Sequence, residues 1–90
     1  MFEIIYHYRV VEEDIPKLSS AWKKRIRHAI EEKLTTRPEA YGKPLRRSLK
    51  GYRKLRVGDY RVIFRIEGNT VKIFVIQHRS VVYENAERRR

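Results

Sequence analysis

The spacing of apolar residues changes period along the chain. "FEIIYHY" (2–8) is rich in β-branched and aromatic residues and predicts an opening strand. In "VVEEDIPKL", Val11, Ile15 and Leu18 fall at i, i+4 and i+7, which predicts a short helix disturbed or restarted at Pro16. The next segment, "SSAWKKRIRHAIEEKLTTRP", places Trp22, Ile26, Ala29, Ile30, Lys33 and Leu34 on one stripe. Ser19 or Ser20 is the expected cap and Pro38 the expected end, with Lys23, Lys24 and Arg25 on the solvated side. "EAYGKPLRRSLKG" (39–51) reads as a connection. The period then falls to two, predicting strands near 52–57, 60–66 and 71–77, with Gly58-Asp59 and Gly68-Asn69 supplying hairpin turns. "VVYENAERRR" (81–90) predicts a short final helix with Val82 and Ala86 on one side. The order β-α-α-β-β-β implies one α+β domain over residues 1–90, a mainly antiparallel sheet with two N-terminal helices packed on one face.

Strand alternation adds a functional expectation. Leu55 and Val57 share one face, so Tyr52, Lys54 and Arg56 point the other way. Val62, Phe64 and Ile66 likewise leave Arg61, Ile63 and Arg65 opposite. With helices covering the apolar faces, Lys54, Arg56 and Arg61 converge on an uncovered side, held close by the 57–60 turn.

Charge sharpens this picture. Twenty-two Lys and Arg face eleven Asp and Glu, a net charge of +11. Self-repulsion at that level works against a compact state, so a polyanionic partner is the natural reason to keep it. The excess is local: residues 43–65 hold nine basic residues and one acid, Asp59. The sequence has no cysteine, no apolar run of membrane-spanning length and no signal-peptide pattern, so a cytoplasmic protein without a membrane partner is expected.

The candidate chemistry needs no cofactor. There is no Gly-rich phosphate loop and no paired-carboxylate cluster, and His7, His28 and His78 lack metal-ligand spacing, so no metal site is expected. Metal-free RNA cleavage fits the residues present. The 2′-hydroxyl must be deprotonated, the pentavalent phosphorane neutralised and the leaving 5′-oxygen protonated. Arginine suits the second task because its planar fork pairs two phosphate oxygens. Lysine, histidine or tyrosine suits the other two. Lys54, Arg56, Arg61, His78, Arg79 and Tyr83 are the catalytic candidates, and Arg46, Arg47, Lys50, Arg53 and Arg65 the RNA-binding ones. The plainer alternatives are that Tyr60 and Tyr83 pack and that His78 hydrogen-bonds a turn.

"LRVGDYRVIF", followed about twenty residues later by "HRSVVY", resembles the RelE/ParE superfamily of type II toxins. "DIPKL", "GKPLRRSLKG" and the element order fit as well, so the resemblance extends over almost the whole chain. Its RelE branch implies a ribosome-dependent endoribonuclease that cleaves messenger RNA in the A site by 2′-hydroxyl attack on the adjacent phosphate. It also implies that Arg61, with Lys54 or Arg56, contacts the scissile phosphate, and that Arg79 and Tyr83 close the site. A cognate acidic antitoxin is the implied partner, expected over the apolar groove beside the helices and sheet, masking or displacing residues 81–90. Tyr52 stands where well-marked RelE sites have a further lysine, and His78 is an addition. The ParE branch implies DNA gyrase inhibition instead, and a non-catalytic nucleic-acid-binding module is the third reading.

Overall fold

The computed structural model describes residues 1–90. Glu3–Tyr6 forms strand β1. The chain then winds through a π-helical segment, Val10–Asp14, and a 3-10 turn, Ile15–Lys17. Val10, Asp14 and Leu18 are buried here, while Val11 is 54% exposed, so the predicted Val11–Ile15–Leu18 stripe begins one residue late. The i→i+5 winding of a π turn rotates side chains away from the 3.6-residue register. Pro16 sits in the first turn of the 3-10 piece, where its missing N–H costs nothing.

Helix α1, Ser20–Ala29, runs directly into a π-helical turn, Ile30–Leu34. Ser19 caps it, its Oγ accepting the Trp22 N–H at 3.3 Å. Ile26, Ile30 and Leu34 are buried on the predicted stripe, and Lys23, Lys24 and Arg25 face water. The last helical bond of this run is from the Arg37 N–H to the Lys33 carbonyl at 3.0 Å, and the chain leaves the helix at Arg37, just before Pro38, as expected. Pro38 also opens a separate single turn, α2 (Pro38–Tyr41), where its fixed φ suits the first position.

Three further strands lie where the period-two pattern predicts them: β3 (Arg53–Val57), β4 (Tyr60–Glu67) and β5 (Thr70–His78). A fourth, β2 (Lys43–Pro44), occupies part of the expected connection. The order is β1-β5-β4-β3-β2. The sheet is mixed rather than mainly antiparallel, because β1 joins β5 in parallel while the β2–β3, β3–β4 and β4–β5 pairs are antiparallel. The N-terminal helices form a crossover that returns the chain to the far side, so the last strand of the meander runs alongside the first. At the opposite edge, Pro44 and the two-residue length of β2 blunt further pairing. Gly58 and Gly68 open the two hairpin loops with φ of +59°, as two-residue turns with glycine first require.

Both faces of the sheet carry helices, where the sequence led one to expect packing on one face. The N-terminal helical segments bury Val10, Leu18, Ile26, Ile30 and Leu34 against Leu55, Val62, Phe64, Val71 and Ile73. On the other face α3 (Val82–Arg89) packs Val82 and Ala86 on Leu49, Ile63 and Val75. A bulge makes this second core possible. Ile63 pairs with Val75 and Phe64 with Ile73, so Phe74 has no partner and joins Val75 on the α3 side.

A buried ion pair latches α3 at its end. β1 pairs no further along β5 than Ile73, leaving the later backbone groups of that edge unpaired by a strand. Asp14 accepts the Ile76 N–H at 2.9 Å, and Arg89 donates to the Phe74 carbonyl at 3.0 Å. The two side chains form a fork at 2.8 and 3.0 Å. Gln77 also donates to Asp14 and accepts from Asn85, while Ser48 bonds Glu87 from the other flank.

Gly42 marks the tightest packing on the α1 face. Its φ of −98° suits any residue, but an added Cβ would lie 2.2 Å from Cζ of Phe64, itself fully buried. Gly42→Ala is therefore expected to cost about 1–3 kcal/mol through overpacking, read as a lower urea midpoint at unchanged slope. An unchanged midpoint would mean that Phe64 has room to move.

Candidate functional site

The β3–β4 hairpin concentrates positive charge at one end of the sheet. Arg56 and Arg61 are direct cross-strand partners, and Lys43 on β2 lies directly across from Lys54. With Tyr41 these four cations line a depression of about 220 Å³. Like charges placed opposite one another on a sheet repel, and a bound anion relieves that repulsion.

Arg61 is held in place rather than waving in solvent. Its Nη1 donates to the carbonyls of Gly58 and Tyr60, each at 2.9 Å, leaving its other N–H groups free for a ligand. Those carbonyls belong to a turn clamped from the far face. Trp22 of α1 rests so close that a Cβ on Gly58 would come within 2.6 Å of its ring. Trp22 also packs on Tyr60, with ring centroids 4.6 Å apart, and Arg25 lies over the indole. From the second core, α3 brings the Tyr83 ring to 5.6 Å from the Lys54 ammonium. Arg79 is tied to the same turn through its backbone, whose N–H donates to the Asp59 carbonyl at 2.8 Å, but it does not line the depression.

Lys54, Arg56 and Arg61 thus meet as the alternation predicts, with Tyr83 beside Lys54, although α3 roofs part of the face expected to be open. His78 does not join them. It pairs with Tyr60 on the Trp22 side of the sheet, its ring edge-on to Tyr60 at 5.7 Å. Its Nδ1 contacts the Ser80 N–H at 3.1 Å and the Ser80 hydroxyl at 2.8 Å, the turn-bonding role. Tyr60 packs on the larger core. Among the expected RNA contacts, Arg53 lies on the helix-covered face and donates to the Gly42 carbonyl at 2.9 Å, tying down the chain after α2. Arg46, Arg47 and Lys50 are exposed around a 3-10 turn, Arg47–Leu49, where Arg47 adopts a φ of +57°. Arg65 lies over Tyr52 and pairs with Glu67, away from the depression. Tyr41 and Lys43 escaped the sequence reading as site residues. Lys43 counted only toward the basic stretch, since a two-residue strand leaves no periodicity from which to read its register with Lys54.

A family model described as the ParE toxin of the type II toxin-antitoxin system, parDE, matches residues 2–83. Toxin RelG of Mycobacterium tuberculosis is 44% identical over 52 residues, covering 56% of this chain and 60% of that protein, so the match spans less than two thirds of its length. A chain of the crystal structure of the toxin-antitoxin complex RelBE2 from Mycobacterium tuberculosis superposes with a TM-score of 0.81. It is 30% identical, with 88% of this chain and 92% of that chain covered. A chain of the YoeB-YefM complex from Staphylococcus aureus, 15% identical, shares the fold at a TM-score of 0.69, with 87% and 97% covered.

Proposed function

The chain belongs to the RelE/ParE superfamily of type II toxin-antitoxin toxins, and from that premise we propose that it is an endoribonuclease, cutting messenger RNA in the ribosomal A site and neutralised by a cognate acidic antitoxin. The observation that carries this reading is the convergence of Lys43, Lys54, Arg56 and Arg61 on one depression, with Tyr83 beside Lys54. Such a site matches a phosphorane, whose equatorial oxygens gain charge as the 2′-hydroxyl attacks. Arg61 neutralises that charge from a fixed position. Proton transfer between the attacking and leaving oxygens is assigned to Lys54 and Tyr83 rather than to His78, an assignment supported by the face each occupies.

Cleavage by this route leaves a 5′-hydroxyl and a 2′,3′-cyclic or 3′-phosphate, with no step assigned to a metal. End-group analysis of message cut on ribosomes is the test, and a 5′-phosphate product would overturn the mechanism. The ParE description of the matching family favours one alternative, inhibition of DNA gyrase by protein binding. Inhibited supercoiling by purified protein, with message left intact on ribosomes, would select it.

A further inference from the structure

The cationic depression uses only one end of the sheet face that α3 shares. Arg89, at the end of α3, donates to the Phe74 carbonyl, and the Phe74 ring opens onto the part of the face beyond it. There Ile5, His7, Tyr52, Arg65, Lys72 and Phe74 surround a second depression, of about 300 Å³. Its wall is a relay of rings. Tyr52 and Phe74 lie 5.0 Å apart, His7 meets Phe74 edge-on at 5.4 Å, and Tyr8 stacks on His7 at 4.7 Å. The Arg65 guanidinium lies 5.4 Å from the Tyr52 centroid. Tyr52 and Phe74 are half-buried against the second core, whereas Ile5 at the sheet edge is 48% exposed, so the depression joins the rim of that core to open apolar surface. The bulge creates it by turning Phe74 to this side.

We propose that this depression is a second nucleic-acid contact, a stacking site for an unpaired base of single-stranded RNA whose backbone continues into the Lys54–Arg56–Arg61 cleft. The assignment rests on the RNA reading above. Continuity supports it: Tyr52, Lys54 and Arg56 are alternate residues along β3 and its start, facing one side at about 6.7 Å intervals. A strand held by phosphate at Lys54 and Arg56 therefore leads its neighbouring base over Tyr52.

The local charge favours a base over an acidic peptide. Arg65 and Lys72 both contact Glu67, so two cations already share one carboxylate, and that carboxylate is held below its usual range by Lys72 first and Arg65 next. A peptide carboxylate would meet Glu67, whereas a base offers a neutral ring plane to Tyr52, Phe74 and the guanidinium. His7 suits the same role. Burial, then nearby Arg89 and Arg9, lowers its pKa, and its Nδ1 accepts the Arg9 N–H at 3.1 Å. The uncharged form of the ring is thus favoured, and it presents a π face.

Fluorescence anisotropy with a labelled eight-nucleotide single-stranded RNA, at low salt and without ribosomes, tests the contact. Tyr52→Leu should bind roughly tenfold or more weakly, Tyr52→Phe as the parent does. Ile5→Glu, an exposed edge change that spares the core, should also weaken binding, and 4-thiouridine in the RNA should cross-link near Tyr52 and Phe74. Binding within twofold of the parent by a folded Tyr52→Leu and by Ile5→Glu would overturn the proposal. So would Tyr52-dependent binding of poly-glutamate that excludes the RNA, which would give the face to an acidic protein. Tyr52-dependent RNA binding by a protein that cuts no message would keep this contact and remove the nuclease. Cleavage at the parent rate with Tyr52-independent binding would do the reverse.

Discussion

Arg89→Ala is expected to destabilise the protein by about 3–5 kcal/mol, the usual cost of stranding one member of a buried ion pair. The Arg89 and Asp14 side chains are only 4% and 1% exposed, so the carboxylate left behind cannot regain full hydration without structural opening. It would also lose two of its donors, keeping the Ile76 N–H and the Gln77 amide. Urea unfolding of both single variants and the double variant measures the effect. The double should cost less than the two singles summed, because removing both charges leaves neither one stranded. Arg89→Lys should rescue only in part, since an ammonium cannot span both carboxylate oxygens and the Phe74 carbonyl as the fork does.

The loss should be concentrated in α3. Amide exchange over residues 82–89 should rise well before exchange in β4, because the latch holds the helix to the sheet edge. Uniform acceleration across the chain would instead make the pair part of the global fold. The consequence for function is direct. Tyr83 is carried on α3 beside Lys54, so a loosened helix disperses the cleft without altering any cleft residue.

Arg61→Ala is expected to lower message cleavage by roughly a hundred- to a thousandfold, or about 2.7–4 kcal/mol of transition-state stabilisation, while the protein stays folded. The side chain bonds only turn carbonyls at the partly exposed end of the hairpin, and water can replace it there. Primer extension on ribosome-bound message gives the rate, and a thermal melt checks the fold. Parent-rate cleavage by a folded variant would remove the phosphate role. Lys54→Ala and Arg56→Ala should each cost less, because the remaining cations of the depression partly substitute, and their effects should not simply add.

Much of the architecture was legible from local pattern. The helical stripe through Ile26, Ile30 and Leu34, the two glycine-led turns and the three C-terminal strands each depend on residues close in sequence, whose periodicity reports the face they bury. The meeting of Lys54, Arg56 and Arg61 belongs with these, since a two-residue hairpin loop fixes its own register. Family membership was legible in the same stretch, through "LRVGDYRVIF" and "HRSVVY".

Long-range placement was not. The parallel docking of β1 on β5 depends on a crossover through the whole helical half, and no local period encodes which strand it will meet. The bulge at Ile63/Phe64 breaks the alternation that would otherwise assign Phe74 and Val75 to opposite faces, hiding both the second core and the aromatic depression. Asp14 and Arg89 lie 75 residues apart in sequence, and only folding brings them together against the unpaired edge of β5. His78 looked adjacent to Arg79 and Tyr83 along the chain, but its pairing with Tyr60 turns it to the other face. The sequence by itself therefore determined the elements, the turn that aims Arg61 and the cationic character of the hairpin, because these rest on contacts a few residues apart. Only the tertiary structure decided which side α3 covers, what latches it and that Lys43 and Tyr41 join the cleft, because those contacts form only once distant segments are packed together.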